Sequence, residues 1–233
     1  MEPKEIAKYL DFANHHANST EKEIKELCRA VLKYGFHTAF VNPCYVKLAK
    51  NILKNKAAVG TVISFPLGQD VTEIKLQAAL KAMEDGADEL DICLNFGKFK
   101  QGDYKFVLNE MKTLVSAVKE KNPKVLVKFI IETGFLTEKE IGRASKLVVA
   151  SGADFVKTCS GFGPRGAMIK DVKLIKKAIR NKAKVKAAGG IATYDQALAF
   201  INAGVDRIGT SHAIDIVKGA KSPKLKKGKL KGE

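Results

Sequence analysis

A closed barrel of eight parallel strands alternating with helices, the (β/α)8 TIM barrel, is the fold this sequence predicts. Three observations predict it. Helical and strand-like patterns alternate along the whole chain, with no run of strands alone, as right-handed βαβ units require. Glycines at 35, 86, 152 and 204 each end a helical segment just before a short apolar stretch, and three of these junctions read alike: DGADELDIC from 85, SGADFVKTC from 151 and AGVDRIGTS from 203. About eight strand candidates fit into 233 residues, the size of one such barrel. An open doubly wound sheet is the runner-up.

The elements follow in order. The opening MEPKEIAKYLDF has no apolar signal core, so a cytoplasmic chain is expected, and its end leads into a first strand near 8–13. Thr20 with Glu23 fits a capping box and starts a helix whose apolar face is Ile24, Leu27, Cys28, Val31 and Leu32, closed by Gly35. Strands are predicted near 37–42, 58–64 and 88–95, with Thr72 and Asp103 as N-caps of the helices after the second and third of these. Asn122-Pro123 breaks the chain before a strand near 125–132. Thr137 with Glu140 opens the next helix, and strands near 154–159 and 184–188 follow. Thr193 with Gln196 then opens a helix that leads to a last strand near 206–210. One barrel domain is expected over residues 1–217, with a Lys-rich, disordered tail over 218–233.

Composition narrows the function classes. The net charge is +16, of which the tail supplies 7 − 1 = +6, and the cations are 36 Lys against 5 Arg, with no Trp. Lys-rich surfaces occur widely without nucleic-acid ligands, so no specific nucleic-acid partner is expected; the basic tail still leaves a non-catalytic nucleic-acid-binding protein as a reading from another class. The longest apolar runs, such as 125–131, are far short of a membrane span, and no membrane partner is expected. Cys28, Cys44, Cys93 and Cys159 have neither close pairing nor ligand spacing and read as free thiols in a reducing cytosol. His15, His16, His37 and His212 show no metal-binding spacing, and no metal is predicted.

Four strands carry charge where apolar residues would be ordinary. Asp91 lies in ADELDICLN, Lys128 in VLVKFIIE, Lys157 in ADFVKTC and Lys186 in KVKAAGGI. Any single lysine could be snorkelling to a strand end, but four charges on separate strands point to a shared polar lumen. A free lysine is only about 0.04% neutral at pH 7, so its nucleophilicity is masked until burial or a neighbouring ammonium disfavours the charge. Lys157 beside Lys186, with Asp91 to move protons, suits Schiff-base chemistry on a carbonyl compound. The loop SGFGPRGA, beginning at Ser160, places Gly161, Gly163 and Gly166 as G-x-G-x-x-G, but no acid follows about 20 residues later as dinucleotide binding requires. Together with Gly189-Gly190 and Gly209-Thr210-Ser211, Gly161 instead suggests a phosphate cradle at the mouth of the last strands.

Taken together, VNPCYV, SFPLGQDVTEIK, GADELDICLNFGKFKQGDY, VKFIIETGFLT, GADFVKTCSGFGP, VKAAGGIATYDQAL and AGVDRIGTS resemble the deoxyribose-phosphate aldolases, the DeoC-type class I aldolase family, over roughly residues 5–217. The resemblance implies a barrel with neither metal nor organic cofactor, cleaving 2-deoxy-D-ribose 5-phosphate to D-glyceraldehyde 3-phosphate and acetaldehyde. It implies Lys157 as the Schiff-base lysine, Lys186 as the second lysine lowering its pKa, and Asp91 as the proton-relay carboxylate. It puts phosphate contacts on Gly161, Gly189, Gly190, Gly209 and Ser211, with Ser160 beside them. Asp11 and Lys128 match polar positions at the mouth. Family members are often dimers or tetramers, so a homo-oligomer is expected. The chain departs from the family pattern in places: FANHHAN follows Asp11 where relatives read like HTLLKP. Ala192 replaces an Arg after GGI, His212 a Ser after Ser211, and Phe40 a Cys. These changes touch the substrate rim, which keeps open a different phosphosugar or aldehyde as the substrate.

Overall fold

In the computed structural model, which describes residues 1–220, eight parallel strands close into a barrel in sequence order. They are β1 (Leu10–Asn14), β2 (Thr38–Val41), β3 (Ala58–Ile63), β4 (Glu89–Cys93), β5 (Leu126–Ile130), β6 (Phe155–Lys157), β7 (Lys184–Ala188) and β8 (Arg207–Thr210). The helices are α1 (Pro3–Ala7), α2 (Glu21–Tyr34), α3 (Val46–Leu53), α4 (Thr72–Glu84), α5 (Phe96–Lys100), α6 (Tyr104–Lys121), α7 (Glu138–Ser151), α8 (Ile169–Ile179), α9 (Tyr194–Asn202) and α10 (Ala213–Gly219). β1 pairs with β8 through Asp11 opposite Gly209, which closes the sheet and removes its edges. The closed barrel is the predicted architecture, and the open doubly wound sheet is excluded. α10 continues two residues past the expected boundary at 217, and the remainder of the predicted tail, 221–233, lies outside the described residues. Among the described residues no helix is long and apolar enough to cross a membrane.

Local chemistry starts and stops these elements as expected. Thr20, Thr137 and Thr193 each form a reciprocal capping box with the residue three positions on. Gly35 and Gly152 end α2 and α7 in the left-handed region, with φ of 71° and 82°. Asp103 caps α6 by accepting from the Phe106 amide at 3.1 Å. Thr72 does not cap. α4 begins on it, with Val71 at the cap position, and its hydroxyl donates to Glu110 Oε2 of α6 at 3.0 Å. Glu110 is buried and also pairs with fully buried Lys75 at 2.8 Å, and this carboxylate claims the hydroxyl.

Strand alternation divides the core into two layers. Leu90, Ile92, Val127, Phe129, Val156, Val185, Ala187 and Ile208 are buried between sheet and helices, the ordinary apolar packing of a barrel. Inside, Lys157 stands level with Lys186 and Asp91 with Lys128, and register partners in a parallel sheet share a face. The lumen is therefore charged where such barrels are usually filled by branched aliphatics. Gly60 on β3 leaves room for one large ring there: a Cβ on it would come within 2.3 Å of Phe40 Cζ. Gly60→Ala is expected to cost roughly 1–3 kcal/mol by overpacking. Thermal denaturation checks this, and Phe40→Leu in the same chain is expected to recover part of the loss.

Candidate active site

One carboxylate organises the lumen. Asp91 Oδ1 accepts from Lys128 Nζ at 3.0 Å, while Oδ2 accepts from Lys157 Nζ at 2.8 Å and Lys186 Nζ at 2.9 Å. Lys128 also donates to Glu89 Oε2 at 2.6 Å. Lys186 lies 2.7 Å from Asp11 Oδ2, an ion pair not aligned as a hydrogen bond. Arg207 reaches Asp11 at 3.3 Å and Glu89 at 3.4 Å. Four cations thus share three carboxylates, all at most about a tenth exposed. The surplus of one positive charge in a low-dielectric interior favours loss of a proton from an ammonium.

The titration of these groups follows from that crowding. Burial would raise the Asp91 carboxyl, but Lys128, Lys157 and Lys186 together hold it well below the usual carboxylate range. Burial would likewise raise Glu89, yet Lys128 and Arg207 bring it down to about 2. Lys128 is the converse: Asp91, Glu89 and Asp11 overcome the burial penalty and hold its ammonium more firmly than usual. At Lys186 burial prevails, helped by the charges of Lys157 and Lys128, and its pKa is lowered although Asp11 and Asp91 oppose the change. Lys186 is therefore a buried ammonium ready to give up a proton beside Lys157.

Phe40 forms the floor of this arrangement. Its ring lies under Lys186 Nζ at 3.5 Å, with Lys157 at 5.9 Å and Lys128 at 4.9 Å from the same centroid. Above it opens a cavity of about 340 Å³ at the C-terminal ends of the strands. Lys157, Lys186, Ser160, Gly161, Gly189, Gly190, Gly209, Ser211 and His212 all line it, as the sequence predicts. Asp91, Asp11 and Lys128 do not. The structure corrects the expectation that Asp11 and Lys128 stand at the mouth. Both are fully buried beneath the floor, where their charges meet Lys186, Arg207 and Glu89.

The glycines serve different purposes. Gly189 and Gly190 have φ of 98° and 76°, a backbone that L side chains rarely adopt, and they bring the β7 loop into the cavity wall. Gly166 backs onto Gly189, whose carbonyl accepts from Ala167 N at 3.0 Å, and Gly163 abuts Glu132; neither lines the cavity. Glu132 holds the loop by accepting from the amide of Ser160 at 2.9 Å and from its hydroxyl.

Sequence reasoning passed over Glu89, Glu132 and Arg207, and it met Phe40 and His15 only in stretches that depart from the family pattern, without a role for either. Glu89 could have been found, since it lies two residues before Asp91 and so on the same strand face. Glu132 and Arg207 act across strands and carry no local signal.

The profile of the DeoC/LacD family aldolases matches residues 6–218. The chain belongs to that family. Among relatives of this family member, a deoxyribose-phosphate aldolase of Thermococcus gammatolerans is 49% identical over 221 residues, covering 94% of this chain and 97% of the relative. One from Thermococcus kodakarensis is 48% identical, covering 94% and 99%. A solved structure described as a unique tetrameric deoxyribose phosphate aldolase from Aeropyrum pernix superposes with a TM-score of 0.88 at 30% identity, over 95% of this chain and 93% of that one.

Acid titration tests the charge network. Asp91 and Glu89 have folded pKa values below their unfolded values of about 4, so the native state binds fewer protons there. Their contribution is complete above about pH 5 and is lost as pH falls towards about 2. Urea unfolding at a series of pH values is expected to show stability falling across that window. Glu89→Gln should be less stable at neutral pH and lose less on acidification; an unchanged acid slope would contradict the assignment.

Proposed function

We propose that this chain is a class I aldolase that reversibly cleaves 2-deoxy-D-ribose 5-phosphate to D-glyceraldehyde 3-phosphate and acetaldehyde, with Lys157 as the nucleophile. The observation that carries the reading is the pair of lysines on one carboxylate oxygen at the floor of the cavity. Lys186 is held by two carboxylates and the Phe40 ring. Lys157 has a single carboxylate partner and reaches the same cavity, so it is the amine freer to attack.

The sequence of steps follows from that arrangement. The Lys157 amine adds to the C1 aldehyde of the open-chain sugar, and the carbinolamine loses water to give an iminium. The C3 hydroxyl gives up its proton, the C2–C3 bond breaks, and its electron pair enters the iminium to leave an enamine. Glyceraldehyde 3-phosphate departs. C2 of the enamine then takes a proton, and water hydrolyses the iminium to acetaldehyde and the free amine. Asp91 holds both amines in place and keeps charge balanced, while Lys186 supplies and regains protons at the reacting atoms. At the other end of the substrate, the amides of Gly161, Gly190 and Ser211, which have no partner among the described residues, receive the phosphate, and His212 lies at that rim.

The homo-oligomer expected from the sequence belongs to this proposal, supported by the tetrameric Aeropyrum pernix relative. So does a cytosolic setting, which suits three buried free cysteines and one exposed.

Borohydride trapping with acetaldehyde, followed by peptide mass mapping, is expected to place an ethyl adduct on Lys157. Lys157→Ala and Lys186→Leu are each expected to lower turnover by at least about 10²-fold while the fold persists in circular dichroism. An adduct elsewhere, or substantial activity in Lys157→Ala, would refute the assignment.

A further inference from the structure

The reaction scheme leaves His15 without a task, although its side chain lines the cavity beside Lys157 and Lys186. The residue directly follows β1 and stands in FANHHAN, which begins within that strand and is where this chain departs from the family pattern. Two aromatic rings fix its plane: Phe40 packs edge-on at 6.1 Å between centroids, and Phe65 is tilted against it at 5.4 Å. Phe40 is the same ring that underlies both lysines, so the imidazole, the amines and the floor form one contiguous wall. Among the described residues, His15 Nε2 is buried and has no hydrogen-bond partner. A buried polar atom left unmatched is costly, and a ligand group that meets it recovers the loss.

The character of the ring says which group that is. Burial, followed by the charges of Lys157 and Lys186, lowers its pKa to about 3, so it is neutral at ordinary pH. A neutral imidazole offers one donor and one acceptor and no charge. It therefore matches both functions of a hydroxyl and brings no charge to a phosphate dianion, which the loop amides and His212 serve.

We infer that His15 is a specificity-determining residue, hydrogen-bonding a hydroxyl of the open-chain sugar between the Schiff-base carbon and the phosphate. The inference rests on the aldolase reading above. In the proposed substrate those hydroxyls are on C3 and C4, whereas acetaldehyde has none. The two halves of the reaction should therefore respond differently to its removal.

The test uses the full chain with His15→Leu and His15→Asn, and two assays. Exchange of acetaldehyde methyl protons for deuterium, followed by proton NMR, reports enamine formation without any sugar hydroxyl. Steady-state cleavage of 2-deoxy-D-ribose 5-phosphate reports the whole reaction. In His15→Leu, kcat/KM for cleavage is expected to fall about 10- to 100-fold, as for loss of one buried hydrogen-bond partner. Exchange should change by less than about 3-fold, and the Asn variant, which keeps a donor and an acceptor, should regain part of the cleavage. Wild-type kcat/KM in His15→Leu would overturn the inference. So would equal losses in both assays, which a merely structural role would give, or cleavage by the Asn variant no better than by the Leu variant. Failure of the wild-type chain to exchange acetaldehyde protons would instead overturn the aldolase reading, and this inference with it.

Discussion

A single buried carboxylate shared by three ammoniums is the constraint on which the rest of this structure depends. Asp91 is fully buried, and an isolated charge there would be prohibitively costly. It is tolerated because Lys128, Lys157 and Lys186 surround it, and they are tolerated because Asp91, Glu89 and Asp11 answer them. The balance is incomplete by one charge. That imbalance, added to burial, allows a lysine to lose a proton in the interior, which a fully paired network would not.

The barrel makes such an arrangement possible. Register places Lys157 level with Lys186 and Asp91 level with Lys128, so pairs far apart in sequence become neighbours on one face. Small residues provide the space. Gly60 accommodates the Phe40 ring, and a Cβ on Gly209 would lie 2.9 Å from Lys186 Cε. Gly209 thus both lines the cavity and gives Lys186 its path to Asp91. The apolar outer layer supplies the stability that a lumen of buried ion pairs does not.

Much of this was legible in the sequence because it is local. Capping boxes at Thr20, Thr137 and Thr193 and glycine stops at Gly35 and Gly152 depend on a few consecutive residues, and all are present in the structure. Period-two alternation was enough to find Asp91, Lys128, Lys157 and Lys186. Depth along the barrel axis was not legible. It depends on strand tilt and stagger, and for that reason Asp11 and Lys128 lie beneath the floor and not at the mouth. Thr72 was misassigned because its partner, Glu110, is on another helix. Arg207 meets Glu89 118 residues away in sequence, a separation that no pattern of neighbours reports. FANHHAN was recognisable as unusual, but only the aromatic packing of His15 against Phe40 and Phe65 gave that difference a meaning.

The most direct measurement of the central claim is turnover of 2-deoxy-D-ribose 5-phosphate by Asp91→Asn, with folding verified by circular dichroism and thermal melting. Asparagine keeps the size of the side chain and removes the charge that holds the two amines together. If Asp91 organises the site, kcat should fall by about 10²- to 10⁴-fold in a chain that still folds. A folded Asp91→Asn variant with near-native kcat would contradict the account.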